Sequence, residues 1–301
     1  MSMTSLRGAR DAAGAMTAEL SDGNTAFHVD GDHGPWVVLV HGMLTPGYSW
    51  APLAEALAAN GFRVLRYDQF GRGLSDRPDA RYDLGLYVKQ LRELAEVLGI
   101  DSMHIVAWSM GALIATRFAA ERADSVDSLA MIAPALYWRQ PPILRTLLRL
   151  PGAHKLVAWG VGDVIGRMQA EHLSRPAQFP DYTGRARAQL AFPGVGRSFA
   201  STIEHFDYGA GDQWRAVGQH GRPVLLVWGD SDRVTPLTSA SQVMELFPRA
   251  SLVTVEGAKH APHLDHAEIV QPAILRHLAS AENRPSAADE GADPREAEPD
   301  L

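Results

Sequence analysis

Six short, largely apolar runs, rich in β-branched side chains, punctuate the chain. They are WVVLV (36–40), RVLRY (63–67), HIVAW (104–108), LAMIA (129–133), VLLVW (224–228) and LVTVE (252–256). Near-continuous hydrophobicity, as opposed to strict alternation, predicts strands buried on both faces, as in a parallel sheet. Between the runs, polar and apolar positions fall into helical period over 49–59, 86–98, 110–121, 239–247 and 266–279. In LYVKQLRELAEVLG, Leu86, Leu91, Leu94 and Leu98 mark one helix face and Gly99 a stop. Upstream, AMTAELSDGNTAFHV reads as a hairpin turning at SDGN, an antiparallel edge to the sheet. Strand–helix alternation of this kind predicts an α/β fold with right-handed crossovers.

One interval breaks the rhythm. Residues 137–218 separate two strands by far more chain than a crossover helix needs. They contain amphipathic pieces such as ILRTLLRL (143–150) and RSFASTIEHF (197–206), with Pro and Gly between them. The interval therefore reads as a helical cap over the carboxyl edge of the sheet, where open α/β sheets bind ligands. The core then comprises 16–136 and 219–280, preceded by a flexible segment 1–15.

Composition narrows the chemistry. The chain holds no cysteine, which removes disulfides, thiolate zinc sites and cysteine nucleophiles, and fits a reducing cytoplasm. Its 301 residues are 46% hydrophobic, enough for a substantial core. The N-terminal stretch has two arginines but no continuous apolar run, so no signal peptide is expected, and no segment is long and apolar enough for membrane insertion. Much of the net charge of −7 lies in the tail 282–301, with seven acids against two arginines. The remainder is nearly neutral, so charge points to no nucleic-acid partner, and the acidic, aromatic-free tail 281–301 is expected to be disordered.

Four loops that follow strands carry candidate chemistry. In HIVAWSMGALIA, Ser109 stops an apolar run just before a helix, flanked at two residues' distance by Ala107 and Gly111. A nucleophile on a strained strand-to-helix turn needs small residues at both places, because the two backbones approach closely. Taken alone, the pattern serves equally well as a serine helix cap. In VHGMLTPGYSW, a His-Gly pair lets the chain turn sharply after a buried strand, placing the Met43 amide to pair with that of Met110 as an oxyanion hole. In VLLVWGDSDRVTP, Asp230 and Asp232 follow a strand, and one carboxylate is needed to orient a histidine. In LVTVEGAKHAPHLDH, His260 supplies a neutral imidazole to take a serine proton.

Serine, aspartate and histidine in this order, each just past a different strand, resemble the α/β-hydrolase superfamily, specifically its capped, esterase-like branch. The resemblance spans roughly residues 16–280 and includes HG, YDQFGRGLSDRP (67–78), AWSMGA, GDSDRVTP and GAKHAPHLDHAE. Ala107 departs from the usual glycine of G-x-S-x-G. The resemblance implies a mostly parallel, eight-stranded sheet with helices on both faces, and it implies Ser109 as nucleophile, Asp232 as acid in preference to Asp230, and His260 as base. It assigns Asp68 and Gly71-Arg72-Gly73 to shaping a turn. It also implies a small-molecule ester substrate and no cofactor or metal. Lactonases, carbon–carbon bond hydrolases and perhydrolases use the same triad, and hormone receptors on this scaffold retain it. A serine at the elbow argues against the dehalogenases and epoxide hydrolases, which place aspartate there. HGMLTPG in place of a Gly-rich HGGGPG-like loop lowers the carbon–carbon hydrolase reading.

Other residues have plainer readings. Asp230 is expected to order its own loop. His260, His263 and His266 are spaced by threes, yet zinc calls for a fuller ligand set; His263 is expected to pack beneath the site, and His41 to be structural. Trp108 and Trp138 are candidate substrate contacts, and Trp159 and Trp214 are expected to pack. The leucine- and arginine-bearing stretch 142–159 fits a cap helix better than an interfacial one.

Overall fold

The computed structural model describes residues 5–136, 170–209 and 211–282, with single positions between 143 and 167. Trp138, Trp159, most of 142–159 and the tail beyond 282 lie outside the described residues. Eight strands form one sheet: β1 (Met16–Leu20), β2 (Gly23–Asp30), β3 (Trp36–Val40), β4 (Arg63–Tyr67), β5 (Met103–Trp108), β6 (Val126–Ile132), β7 (Val224–Gly229) and β8 (Ser251–Val255). Their spatial order is β1-β2-β4-β3-β5-β6-β7-β8. The pairs β1–β2 and β2–β4 are antiparallel and all others parallel, so the predicted hairpin is the antiparallel edge. Among the described residues, helices α1 (Leu6–Ala12), α2 (Ala51–Ala58), α3 (Leu84–Val97), α4 (Met110–Glu121), α5 (Tyr182–Ala188), α6 (Val195–His205), α7 (Gly211–Gln219), α8 (Ala240–Leu246) and α9 (Ala267–Glu282) accompany it.

The continuous apolar runs are explained by the two layers they feed. Along β3, Val37 and Leu39 pack with Leu53 and Leu57 of α2 and Val270, Ile274 and Leu278 of α9, on one face. Val38 and Val40 turn the other way, toward Leu91 and Leu94 of α3 and Leu113 of α4. A strand alternates its side chains between faces, so a sheet covered twice needs apolar residues at every position.

Two boundaries differ from the sequence reading. The segment 1–15, expected to be flexible, carries α1: Ser5 caps it by accepting the Gly8 amide at 3.0 Å. Arg10 is buried, donating to the Leu74 carbonyl at 2.8 Å and Asp76 Oδ1 at 2.6 Å. A long-range ion pair of this kind leaves no periodicity in the local sequence. At the other boundary, α7 belongs to the core layers, because Trp214 and Val217 pack into the same cluster as α4. It packs against α4 and α8.

Candidate active site

Ser109 sits at the tip of β5 with φ 56° and ψ −120°, a backbone conformation costly for a residue with a side chain. Its amide donates to the Ile132 carbonyl at 2.9 Å, pinning the turn to β6. The turn closes because α4 leaves within contact of β3: a Cβ on Gly111 would stand 2.3 Å from the Val40 carbonyl oxygen. Ala107, by contrast, points into the core with no exposed surface. The second small position of the elbow thus requires glycine, while the first accepts a methyl group. Gly111→Ala is expected to destabilise the protein by about 1–3 kcal/mol and to depress activity, as an overpacked contact. A urea midpoint and activity equal to wild type would show that the turn has slack.

A line of hydrogen bonds runs from this serine. Ser109 Oγ lies 2.9 Å from His260 Nε2, and His260 Nδ1 lies 2.7 Å from Asp232 Oδ2. The Asp232 carboxylate is otherwise saturated: Oδ1 accepts from the Val234 and Thr235 amides at 2.7 and 2.9 Å, and Oδ2 from the Thr235 hydroxyl at 2.8 Å. With acceptor atoms only, it holds a proton on His260 Nδ1 and leaves Nε2 to accept from Ser109. Asp230 turns away, taking the Gly257 amide at 2.9 Å and the Ser231 hydroxyl.

Three residues at the ends of β5 and β7 hold these loops together. Trp108 donates its indole N–H to the His260 carbonyl at 2.7 Å, and Trp228 donates to the Thr235 carbonyl at 2.6 Å. Each tryptophan is the strand residue that reaches across to a neighbouring functional loop. Gly229 lets the acid loop and the histidine loop touch, since a Cβ there would meet the Ala258 and Lys259 carbonyl oxygens at 2.3 Å each.

The Met43 and Met110 amides flank Ser109 in a mainly apolar cavity that also contains Leu44, Trp108 and Val234. Neither amide has a hydrogen-bond partner among the described residues, and that of Met110 opens α4, where the helix dipole favours negative charge. The Met43 loop is held from behind. Arg72, fully buried, donates Nε–H to the Met43 carbonyl at 2.6 Å and its terminal nitrogens to Ser198 and Thr202 of α6 at 3.0 Å each. One guanidinium therefore ties the loop beside Ser109 to the inserted segment, in addition to the turn-shaping expected of Gly71-Arg72-Gly73. Asp68 does shape that turn, accepting the Gly47 and Leu74 amides at 2.7 Å each.

The remaining histidines separate by environment. His41 accepts the Gln69 amide on Nε2 and donates Nδ1–H to the Gly42 carbonyl, and burial holds its pKa down to about 3. His263 lies between the rings of Trp50 and Trp108, centroids 4.5 and 4.8 Å away. Neither of its ring nitrogens has a hydrogen-bond partner among the described residues, and burial, with His260 nearby, also lowers its pKa to about 3. His266 faces Asp265 at 3.0 Å. The three histidines spaced by threes thus take three different sets of partners.

Sequence reasoning missed His172. It reaches the cavity from the inserted segment, its ring 5.3 Å from that of His260 and edge-on to Trp108 at 5.2 Å. No local motif marks it, since the contact joins positions almost ninety residues apart.

Comparison with known proteins agrees with this architecture. Residues 35–267 match the family described as alpha/beta hydrolase fold. A pimeloyl-(acyl-carrier protein) methyl ester esterase of Xanthomonas oryzae pv. oryzae is 30% identical over 269 residues, covering 84% of this chain and 99% of the relative. A putative non-heme chloroperoxidase of Synechocystis sp. is 26% identical over 269 residues, covering 84% and 94%. Among solved structures, the enol-lactonase of Burkholderia xenovorans superposes with a TM-score of 0.72 at 22% identity, over 88% of this chain and all of that one. An esterase from Exiguobacterium antarcticum gives 0.74 at 18% identity, over 88% and 99%; at such identities the two structures speak to the fold alone. The family match covers most of the chain and coincides with the sheet and its functional loops: the protein is a member of the α/β-hydrolase family.

Proposed function

We propose that the protein is a serine hydrolase of carboxylic esters, with Ser109, His260 and Asp232 as its catalytic triad. The observation that carries this reading is the unbroken hydrogen-bonded line from Asp232 through His260 to a serine on a strained turn, beside two unpartnered amides. His260 removes the Ser109 proton as Oγ attacks the ester carbonyl, and the Met43 and Met110 amides donate to the oxyanion. The imidazolium then passes its proton to the departing alcohol, leaving an acyl-serine. Water, deprotonated by the same imidazole, attacks this acyl group and releases the acid and the free serine. The reaction as written uses only water and groups of this chain. Similarity to a methyl ester esterase supports an ester as substrate.

Incubation with a fluorophosphonate is expected to add one phosphonyl group, located by peptide mass spectrometry on Ser109. p-Nitrophenyl acetate is expected to give a burst of nitrophenolate followed by steady turnover. An unmodified Ser109 would overturn the assignment of the nucleophile. A burst without turnover would favour a ligand receptor on the same scaffold.

A further inference from the structure

The segment that bears His172 is clamped onto the loop that bears His260. The Ala261 amide donates to the His172 carbonyl at 2.9 Å. Two residues on, Asp265 Oδ2 accepts the Ser174 amide and hydroxyl and the Arg175 amide at 2.6, 2.8 and 2.9 Å. The Lys259 ammonium reaches the Ala170 carbonyl at 3.1 Å. These contacts bracket His172 on both sides and fix its ring over the site.

The ring nitrogens have different surroundings. Nδ1 lies 2.9 Å from the Tyr182 hydroxyl, which lies 3.2 Å from Thr45 Oγ1. Nε2 has no hydrogen-bond partner among the described residues, and His172 lines the cavity in front of Ser109. Rotation of the Tyr182 hydroxyl selects the tautomer. When Tyr182 donates to Nδ1, Nε2 carries the proton and donates into the cavity. When Tyr182 donates to Thr45, Nδ1 donates to Tyr182 and Nε2 accepts. Burial, with His260 and His263 nearby, holds the pKa well below the ordinary histidine value, so the ring is neutral at working pH and its hydrogen bond carries no charge.

We infer that His172 is a specificity-determining residue, whose Nε2 hydrogen-bonds a hydroxyl or ether oxygen in the alcohol half of the substrate. The assignment rests on the ester-hydrolase reading. In that mechanism the departing alcohol oxygen must pass His260 Nε2 to collect its proton, and the His172 ring adjoins that of His260. The alcohol half therefore runs along His172, while the acyl carbonyl faces the Met43 and Met110 amides. Leu44, Met43, Ala135 and Val234 leave this cavity largely apolar, so a single polar contact discriminates strongly between substrates. The substrate class is an ester of a polyol or hydroxyalkyl alcohol, in preference to one of a simple alkyl alcohol.

The test compares 2-hydroxyethyl butyrate with propyl butyrate, which have nearly the same shape. The wild-type protein is expected to favour the hydroxyethyl ester in kcat/KM by about 10- to 100-fold, the worth of one buried hydrogen bond. His172→Phe is expected to abolish that preference, lowering kcat/KM on the hydroxyethyl ester about 10-fold or more further than on propyl butyrate, and His172→Gln to restore part of it. Equal wild-type rates on the two esters, or an equal loss on both in His172→Phe, would overturn the proposal. Fluorophosphonate labelling separates the two levels. Labelling of Ser109 without turnover of either ester overturns the His172 assignment and leaves the nucleophile standing; absence of labelling overturns the nucleophile itself.

Discussion

Asp232→Asn is expected to lower kcat on p-nitrophenyl acetate by about 10⁴-fold, and Asp230→Asn by less than about 10-fold. The two carboxylates are two positions apart, yet their environments are opposite. Asp232 is buried and places Oδ2 2.7 Å from His260 Nδ1. In the proposed mechanism it holds the imidazole with Nε2 free to accept and stabilises the imidazolium that forms as Ser109 attacks. An asparagine amide turned toward His260 donates where the carboxylate accepted, which selects the wrong tautomer; the loss of about 10⁴ follows the magnitude known for this change in serine proteases. Asp230 is exposed and fastens the Gly257 amide, so its exchange touches only loop stability. Ser109→Ala serves as the floor of the same series, with turnover expected near background. Steady-state kinetics of the three variants, with circular dichroism to establish folding, decide the matter. A larger loss for Asp230→Asn would exchange the two roles.

Stability is expected to collapse on mild acidification, driven by His41, His172 and His263. Burial depresses each of their pKa values, to about 3 for His41 and His263 and well below the ordinary value for His172. An unfolded chain binds a proton at each position below about pH 6.5, and the folded chain refuses it until about pH 3 for the first and last. The unfolded state therefore holds more protons across that window, and the unfolding free energy falls as pH falls. His41 and His263 each contribute up to about 1.4 kcal/mol per pH unit, or roughly 2 kcal/mol between pH 6.5 and 4.5, and His172 adds in the same direction. The terms from His41 and His263 alone are a sizeable part of the whole stability of an ordinary domain, about 5–15 kcal/mol. Urea titrations at pH 7.5, 6 and 5 measure the slope. His263→Phe is the informative variant, because the ring lies between two tryptophans and makes no hydrogen bond among the described residues that the substitution would break. It is expected to gain about 1 kcal/mol at neutral pH and to flatten the slope by about one proton. An unchanged slope would show that His263 is protonated in the folded protein.

Local sequence determined much of this protein. Every predicted strand appears within a few residues of its expected bounds, and the hairpin occupies the antiparallel edge. Apolar period is written residue by residue, and a strand covered on both faces has no other way to be stable. The same locality made Ser109, Asp232 and His260 candidates, and the fold joins them by hydrogen bonds: each directly follows a strand, and in a parallel sheet successive strand ends gather at one edge. Gly111 was legible as well, since its requirement arises from one turn.

Tertiary structure alone decided how those residues are held. Trp108 was a candidate substrate contact from its position beside Ser109; the fold shows that its indole also fastens the His260 carbonyl, 152 residues away. Arg72 was assigned to a turn, and the fold sends its guanidinium to Met43 and to α6. Neither α1 nor the placement of α7 on the core follows from periodicity, because an amphipathic helix declares that it has a buried face and not what covers it. His172 is the clearest case. A histidine in a polar stretch carries no signal of its own, and only the Asp265 clamp and the Tyr182 hydroxyl bring it over the site. Contacts between distant segments depend on the packing of the whole chain, and a sequence records them only through the surfaces it makes available.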